Sequence, residues 1–170
     1  MKRLLLAAAL LANALPAPLP AYAAPDTSPL ALPERRALQT YQASTFPALQ
    51  TRIREAAGFE VPLDVQWEAL AIRGRAASFN EPDFWTNVIF VPLEDALKAT
   101  ASDEISKKAL RDGLKSILVT YDPDTAPASA YERGVTFEDG VLRINFQPFT
   151  NVNDRKDRAD AIRKVLEAGL

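Results

Sequence analysis

The chain has 170 residues, with 20 Lys+Arg against 22 Asp+Glu, neither Cys nor His, and a formal charge of −2. Without Cys there is no disulfide, thiolate metal site or thiol nucleophile; without His there is no Ser-His-Asp or Cys-His triad, no His-ligated zinc and no imidazole base. The slightly negative balance argues against broad nucleic-acid binding, which needs a basic face.

Residues 1–23 read as a secretory signal peptide. Met1-Lys2-Arg3 is a basic leader, Leu4 to Leu15 is apolar apart from Asn13, and Ala21-Tyr22-Ala23 is a small-x-small cleavage signature. The apolar stretch is too short and wrongly flanked for a membrane span. The expectation is a periplasmic or secreted protein with no membrane span after cleavage. Residues 24–32, with Pro25, Asp26, Thr27, Ser28 and Pro29, read as a flexible lead-in. Residues 33–170 have the length of a single α+β domain with one core.

Pro33-Glu34 opens a helix with Leu38, Tyr41 and Thr45 on one side. Pro47 interrupts it, and Leu49, Ile53 and Ala56 continue the stripe to a stop at Gly58, so two helices or one kinked helix result. Ser44 or Thr45 is the expected cap of the second. From Phe59 to Trp67 apolar residues alternate strictly with Glu60, Pro62, Asp64 and Gln66, which predicts a strand buried on one face and wet on the other. Pro62 cannot donate to a ladder, so the strand belongs at an edge or carries its Pro unpaired.

Arg73 to Asp83 is irregular, broken by Gly74, Asn80 and Pro82. Phe84 to Val91 reads two ways: its Val-Ile-Phe-Val run favours a strand, and Glu81-Pro82-Asp83 looks like a helix start. The helix, continuing past Pro92 to Thr100, is the preferred reading. Ser102 is the expected cap of a helix from Asp103 to Leu114, with Ile105, Ala109 and Leu110 inward. Ser116 to Tyr121 suits a central strand, and Asp122 to Ala130 a loop. Tyr131 to Phe146 forms a hairpin about Asp139-Gly140, a type I′ turn pair. That turn sets Glu138 opposite Val141, Phe137 opposite Leu142 and Val135 opposite Ile144, which gathers the apolar residues on one face. Asn153 is the expected cap of a last helix, Asp154 to Ala168, with Ala159, Ile162, Val165 and Leu166 inward.

These elements predict an α+β fold: a small, mainly antiparallel sheet of about four strands, including the C-terminal hairpin, packed against amphipathic helices. The stretches Phe137-Glu138-Asp139-Gly140-Val141-Leu142, Pro148-Phe149-Thr150-Asn151-Val152 and Trp85-Thr86-Asn87-Val88 are similar to secreted bacterial domains of unknown function. That resemblance implies no activity and carries over no functional residue.

The densest polar and aromatic constellation is 73–87, with Arg73, Arg75, Asn80, Glu81, Asp83, Trp85 and Asn87 as candidate binding residues. Loops carry function disproportionately, and Arg and Trp recur at the centres of binding surfaces. A guanidinium would meet an anionic group and the indole a sugar or apolar face. The plainer alternative is a connector whose aromatics, Phe79, Phe84 and Trp85, belong to the core. Thr150, Asn151, Asn153 and Asp154 could hold an anion at a helix start, but Asp154 and Asp157 already occupy that positive end, which favours simple capping. Asp122, Asp124 and Thr125 supply part of an oxygen-rich calcium loop without its remaining ligands or glycine, so a plain turn is preferred. The charge runs Lys107-Lys108 and Arg155 to Arg158 read as solvated helix faces.

Phosphate-cradling glycine motifs and the nucleophile elbow are absent. No catalytic residue, cofactor or metal site is assigned. The leading expectation is an exported, non-enzymatic binding or accessory domain whose partner is an envelope protein or a glycan, with no nucleic acid. A hydrolase acting on an envelope polymer through carboxylates around Asp64, Glu81 and Asp83 is one alternative; a structural stabiliser of another exported protein is another. N-terminal sequencing of the exported protein should return Ala24 as the first residue; a retained Met1 would refute the signal-peptide reading.

Overall fold

The computed structural model describes residues 29–170. The expected signal peptide and most of the lead-in lie outside them. Helices α1 (Leu32–Ser44) and α2 (Phe46–Ala57) are separate, joined at Thr45, with a Pro in the first turn of each. Neither Ser44 nor Thr45 caps α2 through its side chain; the Ser44 hydroxyl donates back to Thr40 O instead. Gly58 ends α2 in the left-handed region, as its position after the apolar stripe required.

Strand β1 (Leu63–Val65) is much shorter than the alternating stretch that contains it. Val61 and Val65 are buried, while Glu60, Pro62, Asp64 and Gln66 are exposed, so the alternation itself holds. Pairing starts at the Pro62 carbonyl, which accepts from Ile117 N at 2.9 Å, because the proline has no N–H to extend the ladder backwards. The chain then forms one helical turn, α3 (Trp67–Leu70), and the irregular segment 71–85. The Phe84 to Val91 stretch is helical, not a strand, but the helix begins later than the Glu81-Pro82-Asp83 start suggested: Phe84 and Trp85 are in a turn, and a π-helical turn over Thr86–Phe90 runs into α4 (Val91–Thr100). Pro92 lies in the first turn of α4, where it has no N–H to donate, and the wider turn sits directly before it.

Helix α5 (Glu104–Gly113) is capped by Asp103, not Ser102; the Asp103 carboxylate accepts from Ile105 N and Ser106 N, both at 2.9 Å. Ile105, expected inward, is 84% exposed: it lies five residues, about 140° around the helix, from Leu110, which is the buried contact. Strands β2 (Ser116–Thr120), β3 (Val135–Glu138) and β4 (Val141–Asn145) follow, then α6 (Arg155–Gly169).

The sheet order is β1-β2-β4-β3, with β1 at an edge. Asp139 and Gly140 both have positive φ, 53° and 84°, which the type I′ turn demands. The hairpin register pairs Glu138 with Val141, Phe137 with Leu142 and Val135 with Ile144, as expected. The sheet is mixed, and its antiparallel share is the hairpin alone: β1–β2 and β2–β4 run parallel. The parallel pairings arise because the helical stretch α3–α5 returns the chain to its starting end before β2. The long connection after β2 then carries it past one position to the far edge, and β4 folds back into the gap.

Val65, Val119, Ile144 and Val135 stand in one row of the inner sheet face, and all are buried in the common core with Ile53, Leu93, Leu97, Ile162 and Leu166. On the opposite face Asp64, Arg143 and Thr136 are exposed and Leu118 half-buried, so one side of the sheet is wet, as the alternation indicated. No helix among the described residues is long and apolar enough to cross a membrane.

Tyr41 lies fully inside this core and shares a 2.8 Å hydrogen bond with Thr86 Oγ1. Burial pushes its phenol well above the ordinary value of 10.0, against the lowering effect of the Thr86 bond. A raised folded-state pKa means that the contribution to stability is complete below about pH 10, the unfolded value, and is lost as pH rises beyond it. The urea midpoint should therefore fall above about pH 10, and Tyr41→Phe should flatten that fall. Superimposable alkaline profiles of the two proteins would exclude Tyr41 as the cause.

Candidate functional site

The segment 73–87 divides into a buried half and a surface half. Phe79, Phe84 and Trp85 are all buried. Trp85 spends its indole N–H on Leu70 O at 3.2 Å and contacts the rings of Tyr41, Trp67, Phe79 and Phe84. It presents no surface, so the expectation of an indole face for a ligand gives way to a core role at this position. The polar residues are mostly engaged with their own chain. Arg73 Nη1 donates to Pro29 O at 3.1 Å, Asn80 Nδ2 to Ala37 O at 3.3 Å, and Asn87 Nδ2 to Asp83 Oδ1 at 2.7 Å. Glu81 and Asp83 are exposed.

Buried Glu34 fastens the segment to α1 through its Oε1, which accepts from Gly74 N at 3.1 Å. That bond, the Glu34 backbone N–H and the Arg73 charge hold the carboxyl below its ordinary value, against the opposing pull of burial.

Arg75 behaves differently. Its guanidinium lies 4.9 Å from the centroid of Phe149, a residue of the 146–154 loop. The Phe149 ring stacks on Phe84 at 5.4 Å and 20°, and its backbone N–H donates to Phe84 O at 3.1 Å. Phe149 is 39% exposed and has φ 50°. The fold thus joins two stretches that are distant in sequence into one surface: a cation, an exposed ring and a buried ring behind it.

The loop bearing Phe149 is pinned from below by Arg158, which is fully buried. Arg158 Nη1 donates to Asn151 O at 2.8 Å and Nη2 donates to Thr150 O. Its guanidinium lies 4.3 Å over the Tyr131 ring, and the Tyr131 hydroxyl donates to Asp154 Oδ2 at 2.8 Å. Asn151 Nδ2 also donates to Ala128 O at 2.6 Å. Ala130, Phe149 and Asn151, all in the two loops joined here, have positive φ. Burial pulls the Arg158 guanidinium below its ordinary value, opposed by Tyr131, Asp154 and Asp157. The charge run 155–158 is therefore not a uniformly solvated face. Asp154, not Asn153, is the residue before α6, and its carboxylate serves Tyr131 instead of capping the helix.

The other sequence candidates resolve as local structure. Asp122 Oδ1 accepts from Asp124 N at 3.0 Å and Oδ2 from Thr125 Oγ1 at 2.9 Å, a turn closed on itself. Asn145, at the end of β4, braces that turn by accepting from Asp122 N and donating to Thr125 Oγ1. Among the described residues there is no group of three or more acidic side chains arranged to hold a metal ion. Asp64 stands on the wet sheet face, and no hydrogen bond or ion pair joins it to Glu81 or Asp83 among those residues.

Sequence reasoning missed Arg158 and Asn145. The clue to Arg158 was its place in the stripe: it lies four residues before Ile162, on the inward side. No family model matches the chain, and no curated protein and no solved structure matches it either.

Replacing Arg158 by Met keeps the volume but leaves the Thr150 and Asn151 carbonyls without their donor. The expected cost is about 1–3 kcal/mol in urea unfolding, with early hydrogen exchange through 149–151. Unchanged stability and unchanged exchange would show that the guanidinium does not hold the loop.

Proposed function

We propose that the chain is an exported, non-enzymatic binding or accessory domain that engages an envelope protein through the surface formed by Arg75 and Phe149. The observation that carries this reading is Phe149 itself. A bulky residue with left-handed backbone is a costly arrangement, of order 1–3 kcal/mol, and such outliers concentrate at functional surfaces. Here the cost presents an aromatic ring to solvent. Phe84 sets the angle of that ring from behind and Arg75 covers it from one side. Aromatic side chains and Arg dominate the energetics of protein interfaces, and a ring already held in place loses little entropy on docking.

The prolonged absence of thiol and imidazole chemistry along the chain fits recognition better than turnover. A photo-crosslinking phenylalanine analogue at position 149 of the exported protein should yield a discrete adduct with an envelope protein. Arg75→Ala in the same chain should abolish it. No adduct, or one indifferent to Arg75→Ala, would overturn the assignment of this surface.

A further inference from the structure

The chain has two tryptophans, and the fold gives them opposite environments. Trp85 is wholly buried with its N–H occupied. Trp67 is only partly buried and opens α3 directly after β1. Its indole forms part of the wall of an open cleft of about 580 Å³ between α1 and the β1–α3 corner, lined by Leu38, Gln42, Gln66, Trp67, Glu68 and Ala69. The cleft sits beyond the carboxyl end of β1, the edge strand of the sheet.

The chemistry of the lining is selective. The indole is braced by Phe46, edge to face at 4.8 Å and 89°, and by Tyr41 and Trp85, each at 5.9 Å, so it is held in place before any ligand arrives. Gln66 Oε1 accepts from Thr120 Oγ1 at 2.7 Å, which fixes the amide and leaves its Nε2 protons without a partner among the described residues. Gln42 adds a second amide, able to donate and accept, and Glu68 adds an acceptor. No Lys or Arg lines the cleft, so an anion would find no counter-charge.

A fixed indole beside two neutral amides and one acceptor matches a ring with an apolar C–H face and a rim of hydroxyl groups. The volume lies within the range of small-molecule sites. We propose that the Trp67 cleft binds a neutral saccharide of mono- to disaccharide size, with the sugar face on the indole and its hydroxyl groups on Gln42, Gln66 and Glu68. The open shape implies weak, millimolar-range affinity. This site is separate from the Arg75–Phe149 surface, and neither reading requires the other.

Titration of the protein with N,N′-diacetylchitobiose, cellobiose and maltose, followed by the Trp67 indole N–H resonance, tests the proposal. The buried Trp85 resonance serves as the internal reference. At least one of the three sugars should shift Trp67 saturably while glucuronic acid does not. Glu68→Gln alters an exposed side chain and Gln66→Ala also removes the acceptor of the Thr120 hydroxyl; each should weaken that response several-fold, and only the second should also lower stability. A flat Trp67 resonance with all three sugars, a stronger response to glucuronic acid, or full affinity in both variants would overturn it.

Discussion

Two aromatic surfaces of this molecule, at Phe149 and at Trp67, lean on the indole of Trp85. Its N–H reaches the carbonyl of Leu70 at the end of α3, and its ring touches Tyr41 from α1, Trp67 from α3, and Phe79 and Phe84 from the irregular segment. Burying a Trp removes a large apolar area from water, and its one polar atom must find a partner when it does so. Meeting both needs at once draws three separate pieces of chain around a single side chain. Phe84 passes the constraint outward to Phe149, and the contact with Trp67 passes it to the opposite cleft wall. Both exposed aromatic surfaces are thus the ends of one connected run of rings.

Arg158 performs the corresponding task for the C-terminal half by a less economical route. It is a buried cation whose described bonds go to backbone carbonyls, with a tyrosine ring against its face. Guanidinium suits such a place better than ammonium because its planar fork can serve two acceptors while its face stacks on an aromatic ring. Desolvation of the charge opposes folding, and the carbonyl bonds and ring contact offset it. Three left-handed residues in the adjoining loops indicate that local backbone preference is overridden here by the tertiary structure.

The parts of the fold legible in sequence are those governed by short-range rules. The register of the hairpin could be read to the residue because the Asp139-Gly140 turn and the period-two apolar pattern specify it independently, but its extent could not: Tyr131–Gly134, expected as strand, forms a 3-10 turn. Alternation through 59–67 correctly gave the wet and dry faces, but strand length depended on where Pro62 let pairing begin, which depends on a partner strand. The parallel arrangement of β2 and β4 was illegible because it is decided by a connection that skips a position, and no local pattern encodes that choice. Ile105 and Leu110 cannot share one narrow face of α5, and the packing that buries Leu110 leaves Ile105 in water, a choice the apolar spacing alone did not make.

The candidate surface was half legible. Arg75 stood out because it lies in a loop dense in polar and aromatic residues, and the same logic singled out Trp85, whose ring the core claims. Composition marks where aromatic groups are concentrated and says little about which of them reach water. The brevity of β1 has its own consequence. In a parallel pair alternate residues face the neighbouring strand, so the outer margin of β1 turns only the backbone groups of Leu63 and Val65 away from β2. A margin that short is a poor template for a second chain, and the molecule is thereby guarded on that side against growing into fibrils.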